Sequence, residues 1–237
     1  MSDLNILQIG QEALIRMGLA SPSALIGSSE QTAKQILALL KEEVKSLSRK
    51  IAWQALQREA SLTTVAAQDQ GAIDTLIPNF KFIINDTIWN RTLKRPVFGP
   101  LSPQIQAQNK AFYQSGPWNQ FYIREGHLWF YPQPVAGQSV YIQYLSKAVG
   151  KSYAGTEINN FTLDTDIPYM DDEALILGIK WRFREAKGLD YTEAKQEYTS
   201  CINDLMGRDA SKPVLSMDGS KYDIMPGIFI PAGSWSL

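Results

Sequence analysis

The chain has almost none of the chemistry that depends on cysteine or histidine. Of its 237 residues one is cysteine, Cys201, and one is histidine, His127. An intramolecular disulfide and a cysteine-built metal cluster are thereby excluded, as is any site that needs two imidazoles. Excess charge of one sign is missing too, since 23 basic and 24 acidic side chains leave a formal net charge of −1. That balance argues against a polyanion held by bulk attraction. No apolar run reaches the roughly 18–20 residues of a membrane-spanning helix. Neither GxxxxGK(S/T) nor GxGxxG occurs, which speaks against a P-loop or dinucleotide enzyme. Met1-Ser2-Asp3-Leu4-Asn5 has no basic n-region, so no signal peptide is expected, and a cytoplasm-like compartment of synthesis is.

What remains is a composition of 44% hydrophobic and 20% charged residues, that of a soluble globular protein. The chain reads as helical, then β-rich, then helical, then a tail. Ile6, Gly10, Ala13 and Met17 recur at helical spacing after the candidate caps Ser2 and Asp3, with Gly18 as a stop. In the second helix Ser28 and Gln31 have capping-box spacing. Ala33, Ile36, Leu37, Leu40, Val44, Leu47 and Ile51 then form one apolar stripe. Lys34, Lys41, Glu42, Lys45 and Arg49 fall mainly off it.

Between about Trp53 and Asp166 the period changes, and seven of the twelve prolines fall there. Residues 120–124 and 127–131, separated by Glu125-Gly126, predict a β-hairpin with a two-residue turn. Ser139 to Ser146 alternates as a half-buried strand, and Arg58–Thr64 and Lys81–Ile84 are weaker strand candidates. Helical period returns at Asp171-Asp172-Glu173, acidic residues suited to a helix N-terminus. Ile176, Ile179, Phe183 and Ala186 form its stripe and Gly188 ends it. A last helix opens at Asp190, with Glu193 at the third position, and is expected to stop at Gly207. The fold expected from this pattern is α+β: an antiparallel four-helix bundle with an inserted antiparallel β-rich domain and an extended C-terminal arm. The expected division is 1–52 and 167–207 for the bundle, 53–166 for the insertion and 208–237 for the arm.

No catalytic constellation stands out, and no cofactor or metal is expected. His127 reads as a turn-flanking polar residue, with no GxSxG elbow to accompany it. Asp164-Thr165-Asp166 is a weak candidate for a divalent cation, explained as well by turn formation. Two spaced carboxylates suffice for a glycosidase, so Asp164, Asp166 or Glu125 also support a carboxylate-dependent cell-wall hydrolase as an alternative. Lys180, Arg184 and Lys187 make a basic stripe beside the core face of the third helix, most simply a solvated face, with a phosphate-facing role only in an assembly that repeats the stripe. Cys201 reads as a small core hydrophobe.

Residues 101–123 are poor in charge and rich in aromatics and amides. Phe112, Tyr113, Trp118, Phe121 and Tyr122 are candidates for a tail-side or subunit interface, and the region of Trp118, Phe121, Tyr122 and Trp129 for glycan recognition in a virion or surface module; otherwise the stretch is a loop packed on the sheet. In the tail, Ile224, Met225, Ile228, Phe229, Ile230 and Trp235 are apolar, while Pro226, Gly227, Pro231 and Gly233 prevent an amphipathic helix. They either pack back on their own domain or form an arm that binds a partner as an extended segment.

The order of these elements resembles the head-to-tail adaptor (tail-tubular, head-completion) proteins of short-tailed bacteriophages. The resemblance rests on Ala13-Leu14-Ile15-Arg16-Met17-Gly18, on Lys45-Ser46-Leu47 leading to Trp53, and on Arg58-Glu59-Ala60-Ser61-Leu62. The hairpin Tyr122 to Pro132, the helix Glu173 to Lys187 and the helix start Tyr191 to Tyr198 complete it. It implies a non-enzymatic virion protein, assembled in the host cytoplasm, in a ring of commonly twelve copies. Its partners would be the portal, reached by the C-terminal arm, and a tail or nozzle protein. DNA would pass through the ring's channel without specific binding, and no membrane would be involved.

Overall fold

The computed structural model describes residues 4–112 and 118–209. Its first elements are helices α1 (Ile6–Arg16) and α2 (Gln31–Lys50), strands β1 (Gln57–Thr63) and β2 (Asp69–Ala72), and the one-turn helix α3 (Ile73–Leu76). Strands β3 (Phe80–Ile83), β4 (Trp89–Asn90) and β5 (Arg95–Pro96) lead to helix α4 (Pro103–Phe112). Then come β6 (Gln120–Arg124), β7 (His127–Tyr131), β8 (Ser139–Ser146), β9 (Gly150–Lys151), β10 (Glu157–Ile158) and β11 (Ile167–Pro168). Helices α5 (Asp172–Ala186) and α6 (Thr192–Asp209) close the described chain.

Two compact units result. The first takes residues 4–58, 79–82 and 145–209, and the second takes 59–78, 83–112 and 118–144. The C-terminal residues Ile224, Met225, Ile228, Phe229, Ile230 and Trp235, with Tyr113, lie outside the described residues.

In the first unit, helix ends follow local chemistry. The cap of α1 is Asn5, not Ser2 or Asp3: its side chain accepts from Gln8 N at 2.9 Å, and the Gln8 side chain accepts from Asn5 N at 3.0 Å. The box expected at Ser28 and Gln31 does not form, because α2 begins after Glu30 with no side-chain cap. Helices α1 and α5 end alike. Gly18 and Gly188 adopt φ of +72° and +67°. Leu19 N then donates to Leu14 O and Leu189 N to Arg184 O, each across a full turn, so both ends are Schellman motifs. Gly207 stops nothing; α6 passes through it to Asp209.

The four long terminal helices do not make a four-helix bundle. In a bundle each helix buries one stripe toward a shared axis. Here α5 is the hub against which α1, α2 and α6 each pack, while α1 and α2 touch each other only slightly. Residues 174–179 of α5 are buried in an unbroken run, all round the helix, whereas Ala186 of the expected stripe is exposed. Part of the core also comes from outside the helices: Leu145, Val149, Phe161 and Met170 join it, and β9 lies between β10 and β11 in a small antiparallel sheet. The α+β class stands; the bundle does not.

In the second unit, β2, β7 and β6 are neighbours in that order in one antiparallel sheet. The hairpin β6–β7 has the expected register, closing at Arg124 opposite His127. Glu125 and Gly126 both take positive φ, +54° and +77°, as a two-residue turn matched to strand twist requires. β1, β8, β4 and β5 follow one another in the larger sheet. Within β8, Val140, Ile142 and Tyr144 are buried, and Ser139 and Gln143 are exposed. Helix α4 replaces part of the loop expected over 101–123. Its start has a physical logic: Pro103 takes the first helical position, where its missing N–H is harmless, and Ser102 Oγ accepts from Ile105 N at 3.3 Å.

The phase of α2 makes a direct prediction. Leu40 is fully buried, so Leu40→Asp leaves an unpaired charge in the core and is expected to lower stability by about 3–5 kcal/mol. Lys41→Asp, one position round the helix, is expected to change it by less than about 1 kcal/mol. Denaturant melts of the two variants check this, and equal losses would contradict the assigned phase.

Candidate functional site

Asp164 and Asp166, two of the carboxylates singled out in the sequence, have structural work. Asp164 Oδ1 accepts from Ile26 N at 2.8 Å and Oδ2 from Leu25 N at 3.2 Å. Asp166 is fully buried, and its Oδ2 accepts from Thr162 N at 2.8 Å and Leu163 N at 2.9 Å. The backbone carbonyls of the same two residues receive Leu7 N and Ile6 N, two N–H groups that α1 leaves without intrahelical partners. Asp164-Thr165-Asp166 is therefore a clasp that seats the start of α1 and the loop before α2. Among the described residues no group of three or more His, Cys, Asp or Glu side chains is placed to hold a metal ion. Asp171 caps α5 by accepting from Ala174 N at 3.2 Å.

In the second unit, His127 Nδ1 lies 2.9 Å from Asp69 Oδ2. The Gly71 N–H, and after it His127, hold the Asp69 carboxyl below its ordinary pKa. Both side chains are more than a third exposed. Glu125 is exposed at the hairpin turn. The aromatic stretch divides. Phe121 and Tyr122 are buried, 1% and 6% exposed, with the Tyr122 ring stacked on Trp129 at 5.9 Å between centroids. Trp118 is 45% exposed and stands edge-on to Phe98 at 5.8 Å, with the Arg95 guanidinium 5.6 Å from its ring centre. Phe112 ends α4.

In the first unit the basic stripe of α5 is locally engaged. Lys180 Nζ pairs with Glu197 Oε2 at 2.8 Å, Arg184 donates to Asp190 O at 3.5 Å, and Lys187 Nζ lies 5.2 Å from the Phe183 ring centre. Cys201 is half-buried against the core, and burial raises its thiol pKa.

The cluster that sequence reading missed is centred on Glu43 of α2, which is 0% exposed. Its Oε2 accepts from Arg182 Nε of α5 at 2.6 Å, and its Oε1 accepts from the Tyr198 hydroxyl of α6 at 2.5 Å. Arg182 reaches out to Glu42 as well. Gly178 makes room: a Cβ there would lie 2.6 Å from Glu43 Cδ. Burial, and then the bond to Glu43, raise the Tyr198 pKa far above its ordinary value, so the hydroxyl stays protonated and donates. The signal was available, because 33, 36, 40, 43 and 47 repeat at helical spacing and put Glu43 on the apolar stripe. A charge at such a position needs a partner inside the core.

This geometry describes a protein whose ionisable groups hold helices and loops in place. The chain matches the family model described as SU10 adaptor protein over residues 5–217, which takes in residues of both units. It belongs to that family, and is thus a structural adaptor of bacteriophage and a component of the virion. No curated protein matches it.

Removing one partner of a buried pair costs more than removing the whole pair. Arg182→Met is expected to destabilise the protein by about 3–5 kcal/mol, since it leaves the Glu43 carboxylate buried without its cation. The triple variant Glu43→Leu, Arg182→Met, Tyr198→Phe is expected to recover most of that loss, to within about 2 kcal/mol of the parent. Chemical denaturation of both variants measures the difference. A triple variant no more stable than the single one would show that the cluster is not a unit.

Proposed function

We propose that the protein forms a ring, of twelve copies as the family resemblance implies, that joins the portal of the phage head to the tail and surrounds the exit path of the DNA. The observation that carries this reading is the family match across residues 5–217. A ring subunit must offer the same complementary surfaces in every copy. The first unit suits that demand, since α5 fixes α1, α2 and α6 through one continuous core.

In this proposal the portal contact belongs to Ile224, Met225, Ile228, Phe229, Ile230 and Trp235, an extended apolar segment seated in a groove or on a sheet edge. The tail-side or subunit contact is left to Phe112, Tyr113 and Trp118, because the Phe121 and Tyr122 side chains are already spent in the core of their own unit.

Deleting residues 220–237 separates attachment from folding. The truncated protein is expected to keep its melting temperature within about 2 °C and to stop co-sedimenting with portal-bearing heads. Unfolding would assign the segment to the protein's own core, and undiminished sedimentation would remove it from the attachment mechanism.

A further inference from the structure

The outer side of α2 carries two cations, Lys45 and Arg49, that no carboxylate pairs among the described residues, and beside them Lys50, whose Nζ lies 5.5 Å from the Tyr198 ring centre. A groove on the first unit is lined by Glu42, Lys45, Ser46, Arg49, Lys50 and Arg182. Among the described residues Glu42 is the only carboxylate that lines it, and that group is already bridged to Arg182. Arg182 also carries the Glu43 charge beneath the groove. Lys45 and Arg49 are exposed, one helical turn apart, and neither forms an ion pair among the described residues. Like charges at that spacing repel and destabilise a helix slightly. Lys81 adds to the crowding: it donates to Ser48 O, and burial together with the nearby Arg49 charge lowers its pKa. The helix dipole accounts for Arg49 and Lys50, which stand in the last turn of α2, but not for Lys45.

We propose that this groove binds the phosphates of duplex DNA without regard to sequence, through Lys45, Arg49 and Lys50. Point charges on flexible stems suit a backbone that slides, because they contact phosphate oxygens and read no base. The net charge of −1 keeps the whole molecule from binding DNA tightly, and the local cluster supplies a weak, salt-sensitive hold. The choice of DNA as the polyanion rests on the adaptor reading; the existence of the groove does not.

The test titrates the purified full-length protein into fluorescently labelled duplex DNA over a range of salt concentrations, with polyglutamate as a parallel probe. The parent protein is expected to bind duplex with an affinity that falls steeply as salt rises. Lys45→Gln with Arg49→Gln is expected to weaken binding about tenfold at low salt and to lower the log–log salt slope by about 2. Lys180→Gln with Lys187→Gln, on the locally engaged stripe of α5, is expected to leave both unchanged. No binding by the parent, or equal binding by the α2 variant, would overturn the proposal. Polyglutamate bound as tightly as duplex would overturn it too, and would mark a site for an acidic protein surface. Head co-sedimentation of the same α2 variant tests the adaptor reading separately, because that attachment is assigned to residues 220–237.

Discussion

One close approach organises the first unit. Helices α2 and α5 meet where Gly178 has no side chain and Glu43 fills the space. The carboxylate so admitted is 0% exposed, and Arg182 and the Tyr198 hydroxyl each satisfy one of its oxygens. Three helices from two distant parts of the chain are thereby held at one point. A hydrophobic contact would hold them with similar strength, but it would tolerate sliding. The ionic cluster has one geometry in which no charge is left unpaired, so it sets the register of α2, α5 and α6 as well as their packing. The residues that frame it, Leu40, Val44 and Leu47 on α2 and Ala174 to Ile179 on α5, are buried and apolar. That surrounding makes an unpaired charge there expensive.

The other end of the unit is fixed by backbone chemistry. Asp164 and Asp166 give their carboxylates to loop N–H groups and their carbonyls to the start of α1. Arg16, in the last turn of α1, then binds Glu173 at the start of α5 through its two terminal guanidinium nitrogens. Polar side chains that resemble catalytic or metal-binding sets in the sequence are consumed in positioning. This use of polar groups to hold helices and loops in place suits a structural adaptor. Against that background Lys45 and Arg49 of α2 stand apart, since neither forms an ion pair among the described residues.

Elements with a strong local period or a turn of fixed chemistry were legible in the sequence. Gly18 and Gly188 mark helix ends because only glycine takes the left-handed position easily, and Glu125-Gly126 sets the hairpin register by its length. The stripe of α2 and the alternation of β8 likewise follow from burial on one side. What failed was long-range. Nothing in the period of α5 says that three helices would cover it, so a hub was read as one wall of a bundle. α4 was hidden by proline counting, although Ser102-Pro103 is a helix start. Phe121 and Tyr122 looked like surface because their neighbours are amides, yet cross-strand pairing with Phe130 and Trp129 places them inside the sheet's packing. Glu43 is readable from its position on the α2 stripe, where a charge requires a partner inside the core.

The central claim is that this protein works as an assembled ring between portal and tail. The mass and rotational symmetry of the protein, determined by electron microscopy alone and after mixing with portal-bearing heads that lack it, test that claim directly. The account predicts a closed ring of identical copies seated on the portal vertex, with the channel open along its axis. Single copies, or no added density at that vertex, would contradict it.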